Sequence, residues 1–167
     1  MGAIDQGITP DRWTVIPRTL CFITHGDDLL LMERARHKRA FPGMYNGIGG
    51  HIERNEAPAA SALREIREET GLTVQNLTLR GISHIDSGQS IGIMLFIFTA
   101  ESDSREVVAN DEGTLHWVPL NELGTVPLVE DLPLLLPRLY GEKRGSGIFD
   151  VRVYYDASDH MVMEFQP

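Results

Sequence analysis

Between residues 57 and 71 this chain has little freedom of conformation. Ala59, Ala62, Leu63 and Ile66 recur at i, i+3, i+4 and i+7, the spacing of an amphipathic helix whose apolar stripe faces a core. Pro58 suits the first turn, and Asn55 is a candidate N-cap. Gly71 follows the last helical residue, where a left-handed C-cap is required. The same helix carries Glu65, Glu68 and Glu69 within an arc of roughly 100°. Like charges so spaced repel by roughly a few tenths of a kcal/mol per exposed pair. The cluster therefore reads either as a solvated acidic face or as a seat for a divalent cation, which would turn the repulsion into attraction.

The flanking segments are strand-like. Residues 13–24 and 29–34 surround the turn signal His25-Gly26-Asp27-Asp28 and predict a hairpin. Residues 34–50 change character: Arg34, Arg36, Lys38 and Arg39 precede a run of Gly, Pro and Asn, which reads as a loop. Its basic residues are either a solvated turn or, for one or two of them, phosphate-facing. Two β-rich runs follow the helix, then a short strand at 115–120. A second helix is expected over 129–140, with Leu132, Leu135, Leu136 and Leu139 at helical spacing, Pro133 in its first turn and Pro137 kinking or ending it. The tail alternates as two strands about an Asp-rich turn. The expected class is α+β, with a central mixed sheet between two principal helices.

Composition narrows the function. With 167 residues, 42% of them hydrophobic, the chain suits a single domain over 1–167. A net charge of -9 argues against a nucleic-acid partner. Cys21 is the sole cysteine, so no internal disulfide forms, and its apolar setting predicts a buried thiol. The first residues lack a basic segment leading into an apolar core, and no window nears 18 apolar residues, so the expectation is a cytoplasmic protein with no membrane partner. The histidines show no metal-ligand spacing such as H-E-x-x-H.

Gly50, five residues, Glu56, seven residues, then Arg64-Glu65-Ile66-Arg67-Glu68-Glu69-Thr70-Gly71-Leu72 resembles the complete signature of the Nudix hydrolases over 50–72. Seven fixed residues match by chance on the order of once in a million. The resemblance implies an alpha/beta/alpha sandwich, Mg²⁺ (or Mn²⁺) as cofactor, and hydrolysis of a nucleoside diphosphate linked to another group. Glu65, Glu68 and Glu69 match the family's metal-binding glutamates, with Glu65 or a neighbour also matching the base that deprotonates water. Gly49 matches a position whose carbonyl coordinates the metal. Arg64 and Glu56 match a structural ion pair, with a separation compatible with one helix face. Glu112 best matches a further acidic ligand from a distant loop, with Asp111 as runner-up; both also read as plain loop carboxylates.

Residues outside this signature bear on the substrate, a small-molecule nucleotide. Asn46 and the pair Glu130 and Asp131 resemble base-reading positions of the branch that removes oxidised purine nucleoside triphosphates such as 8-oxo-dGTP, and Arg36 is the basic-loop candidate for substrate contact. That branch in animals carries a stacking tryptophan just before the acidic pair, whereas Leu128 and Val129 stand here, which leaves Phe41, Tyr45 or Phe96 to stack. Asp131 could instead cap the following helix, and Trp117 reads as a core residue. ADP-ribose hydrolases and dinucleoside polyphosphate hydrolases of the family carry a proline or a tyrosine marker beyond the signature, and residues 84–90 supply neither. Cys21 is a poor match for the catalytic cysteine of isopentenyl diphosphate isomerases, and the charge disfavours RNA decapping. Non-catalytic nucleotide sensors of this fold tend to lose signature glutamates, all of which remain. The expected assembly is a monomer or homodimer.

Overall fold

The computed structural model describes residues 2–166 apart from 8, 10, 109 and 110. Strands β1 (Thr14–His25) and β2 (Asp28–Arg34) form the expected hairpin, with Gly26 at φ 58° in the turn. After β3 (Tyr45–Asn46) come helix α1 (Pro58–Thr70), β4 (Gln75–Asp86), β5 (Ile91–Glu101) and β6 (Gly113–Pro119). Helix α2 (Leu132–Leu139), β7 (Phe149–Tyr155) and β8 (Met161–Phe165) complete the order. The strands run β3-β2-β1-β5-β4-β7-β8, with β6 also on β2. The β1–β5 and β4–β7 pairs are parallel and the rest antiparallel, so the sheet is mixed.

Alternation along β1 places a core on each face. Leu20 and Phe22 pack with Leu132, Leu135, Leu136 and Leu139 of α2, while Cys21 and Ile23 pack with Ala62 and Ile66 of α1. Two helices therefore sandwich the sheet, as expected. No helix among the described residues is long and apolar enough to cross a membrane.

Strand β2 creates the opening for the site. One of its edges pairs with β6 throughout, whereas the other pairs with β1 over Asp28–Leu30 and with β3 at Met32 and Glu33. Where β1 leaves β2, residues 48–51 take over as its neighbours: Cys21 N donates to Ile48 O at 2.6 Å and Thr19 N to Gly50 O at 2.9 Å. Gly49 and Gly50 are thereby fixed in front of α1.

The orientation of α1 corrects the sequence reading. Leu63 is 47% exposed and Ala59 is exposed; the buried residues are Ser61, Ala62, Ile66 and Thr70. At roughly 100° per residue this inward arc runs from Ser61 to Thr70 and contains Glu65 and Glu69. The helix turns two carboxylates toward the sheet at the expense of a leucine. Its N-cap is also different: Ala57 occupies the position with no side-chain hydrogen bond, and Asn55 does not cap. Gly71 ends the helix at φ 76°, its N–H bonded to Arg67 O at 2.9 Å, as the sequence requires.

Candidate active site

A cleft of about 620 Å³ opens at the split in the sheet, within the range of small-molecule sites. Its acidic end is lined by Glu65 and Glu69 of α1, by Gly49 and Gly50, and by Glu112. Gly50 has a steric role here, because a Cβ on it would collide with the Glu65 carboxyl. At Gly49 (φ 154°) a Cβ would run into the Thr19 carbonyl, and its N–H points at Glu69 Oε2, 3.3 Å away.

Arg64 organises the helix. It donates to both carboxylate oxygens of Glu56 (3.0 and 2.6 Å), to Glu65 Oε1 (2.9 Å), to Glu68 Oε2 (3.0 Å) and to His51 O (3.1 Å). Glu56 precedes α1 and does not share its face; the guanidinium reaches back to it from the first turns. The hydrogen bond from Arg64 is the main reason the Glu56 carboxyl drops to about 2. Glu68 falls on the solvent flank of the helix, 59% exposed beside Arg64, and does not line the cleft.

Glu69 has a strongly perturbed carboxyl. Burial pushes it up to about 7, and Glu65 and Glu112 push in the same direction, against the Gly49 N–H and Arg34. Glu112 lies lower than usual, chiefly through its hydrogen bond from Lys38 at 2.6 Å and also through Arg34 at 3.1 Å. Asp111 is exposed and off the cleft. Of the basic loop, Arg34 lines the cleft, whereas Arg36 is exposed and outside it. Among the described residues no three acidic, histidine or cysteine groups close into a ready-made metal cluster. The donor set nonetheless suits a hard cation: three carboxylates at one end of one cleft, one of them, Glu69, raised to about 7 by burial first and by its acidic neighbours second.

The other end of the cleft collects Asn46, Val129, Glu130 and Asp131. Asn46 Oδ1 accepts from Gly47 N at 2.8 Å. Asp131 stands at the N-cap of α2, yet its side chain makes no capping hydrogen bond, and its buried Oδ1 has no partner. Burial, then Glu130, raises its proton affinity. Of the aromatic candidates for stacking, Phe41 lines the cleft, at φ 52°, while Tyr45 and Phe96 pack against the cores. Trp117 packs at the α1 core, its Nε1 donating to Arg105 O.

Sequence reasoning missed Arg18, Tyr155 and Met161, which also line the cleft. The signal was the two-residue period of their strands: Arg18 precedes Leu20 and Phe22 on one face of β1, and Tyr155 follows Val151 and Val153 on one face of β7.

Over residues 15–139 the chain matches the NUDIX domain. It is 31% identical over 132 residues to the NAD-capped RNA hydrolase NudC of Pseudomonas aeruginosa, covering 78% of this chain and 45% of that protein, so it spans under half of that relative's length. It is 29% identical over 133 residues to the oxidized purine nucleoside triphosphate hydrolase of Danio rerio, covering 77% of this chain and 84% of that one. Among solved structures, the MutT protein of Bacillus halodurans superposes with a TM-score of 0.75 at 25% identity, over 91% of this chain and 98% of that one.

Proposed function

This chain belongs to the Nudix family, and from that premise we propose that it is a divalent-metal-dependent pyrophosphohydrolase whose leading substrates are oxidised purine nucleoside triphosphates such as 8-oxo-dGTP. The observation that carries the reading is that one cleft has the carboxylates Glu65, Glu69 and Glu112 at one end and Asn46, Glu130 and Asp131 at the other. A triphosphate lying along it puts its anhydride at the first group and its base at the second. The Danio rerio relative, named for that substrate class, supports the same choice.

Glu65, Glu69 and Glu112 would hold Mg²⁺ or Mn²⁺, with the Gly49 carbonyl as a further donor; Glu68 would join them only by turning from Arg64 toward the cleft. Such an ion, when bound, neutralises the diphosphate oxygens and acidifies a water for in-line attack. The chain's own groups set the geometry. Arg64 fixes Glu65 against the loop through Glu56 and His51. Gly50 gives Glu65 its place, and Arg34 supplies positive charge at the phosphate end. Asp131, shifted by burial toward its neutral form, can donate to a base edge as well as accept from it. The products from a triphosphate would be the nucleoside monophosphate and pyrophosphate.

A second reading, hydrolysis of ADP-ribose or another nucleoside-diphosphate-linked compound, draws on the likeness to the Pseudomonas aeruginosa protein. A turnover panel of 8-oxo-dGTP, dGTP, ADP-ribose, NAD⁺ and diadenosine polyphosphates, with and without Mg²⁺, separates the two. The proposal expects kcat/KM for 8-oxo-dGTP about tenfold or more above dGTP, lost without metal. Preference for ADP-ribose or NAD⁺ would favour the second reading, and nucleotide binding with no turnover would mark a sensor.

A further inference from the structure

Two residues that line the cleft each carry a buried polar atom without a hydrogen-bond partner: Arg18 Nε, a donor, and Asp131 Oδ1. Since both lack a hydrogen bond, they do not satisfy each other. A buried orphan costs free energy in the free protein, and a ligand carrying the complementary group recovers it. Arg18 stands on the α2 face of the sheet, two residues before Leu20 and opposite Leu95 on β5. That face also bears Tyr155, the last inward residue of β7, cross-strand partner of Met161 and 40% exposed. Tyr155 lies within electrostatic reach of Glu130 and Asp131. The match to the NUDIX domain ends at residue 139, before the β7–β8 hairpin.

Resting on the reading above, we infer that Arg18 and Tyr155 complete the base end of the cleft: the Arg18 guanidinium donates to a keto oxygen of an oxopurine, and the Tyr155 ring covers its face. An arginine side chain has donors only, so it recognises an acceptor such as a purine carbonyl oxygen, while the Asp131 carboxyl takes the neighbouring ring N–H. Tyr155 supplies the aromatic surface that Leu128 and Val129 do not, because Leu128 packs against the α2 core and Val129 is 4% exposed.

The test is calorimetric binding of 8-oxo-dGMP, which is not a triphosphate substrate, and separately of pyrophosphate, each with Mg²⁺, to the full chain and its variants. Arg18→Met, which keeps the apolar stem, and Arg18→Gln should each weaken 8-oxo-dGMP by about tenfold or more, with pyrophosphate within about twofold. Tyr155→Ala should weaken the nucleotide by a similar factor and Tyr155→Phe should not. Unchanged nucleotide affinity in the Arg18 variants, equal losses for pyrophosphate, or a native chain that binds no 8-oxo-dGMP would overturn the inference. Turnover of 8-oxo-dGTP by the native chain is scored apart: if it is absent while the binding pattern holds, the hydrolase reading fails and the base contacts stand.

Discussion

Arg64 and Glu56 form a two-pronged pair, Nε to Oε2 at 3.0 Å and Nη2 to Oε1 at 2.6 Å, that ties helix α1 to the loop ahead of it. The same guanidinium holds Glu65 and Glu68, so one side chain sets the position of two acids. A lysine would keep the charge and lose the fork. Arg64→Lys should therefore lower turnover on the order of a hundredfold, since displacement of about 1 Å at a reacting centre costs that much. Near-native kcat would show that the fork is dispensable.

Gly49 and Gly50 separate fold from function. Alanine at Gly49 meets backbone at Thr19, in a positive-φ conformation, and neither can yield cheaply. Alanine at Gly50 meets the far end of the Glu65 side chain, which can swing away. Gly49→Ala should lower the melting temperature, whereas Gly50→Ala should melt near the native value and lose turnover. Thermal melts and steady-state assays on both variants check this, and the reverse pattern would refute it.

Glu69 links metal, proton and stability. Its carboxyl, raised to about 7 in the folded chain, favours the neutral form there. Without a cation its contribution to stability is full below about 4.5, the ordinary carboxylate value, and is lost as pH rises through about 7. Melts in EDTA should show that decline, and Mg²⁺ should reverse it. Mg²⁺ affinity should rise by about tenfold in all from pH 6 to 8 and then level off, because the cation must displace the proton. A flat titration would mean that Glu69 is no ligand.

Cys21 is buried in β1 beneath the acidic end, and burial, then Glu69 and Glu65, pushes its thiol up to about 12. It should resist a thiol reagent at pH 8 in the native chain and react at once in denaturant. Rapid native labelling would contradict its placement.

Several elements were legible because local chemistry dictates them. Gly71 had to end α1 and the turn at Gly26 had to reverse β1 into β2, whereas the glutamate spacing alone left a solvated acidic face and a cation seat both open. The rotation of α1 was not legible. Apolar periodicity favours burying Leu63, yet Glu65 and Glu69 face the sheet in its stead, because Gly50 leaves room and Arg64 and the Gly49 N–H provide partners. Choosing Arg34 over Arg36 needed the path of the loop from β2. The period of each strand places Arg18 and Tyr155 on an inward face, but that both belong to one cleft follows only from the register that brings β1, β5, β4 and β7 side by side.

The acidic end of the cleft is most directly probed by Mn²⁺ titration, read as loss of the free-ion electron paramagnetic resonance signal, with a non-hydrolysable nucleotide present. The native chain should take up the ion, and Glu65→Gln combined with Glu69→Gln should weaken uptake by about a hundredfold while the fold persists. Equal uptake by the native chain and the double variant would show that these two carboxylates do not hold the metal.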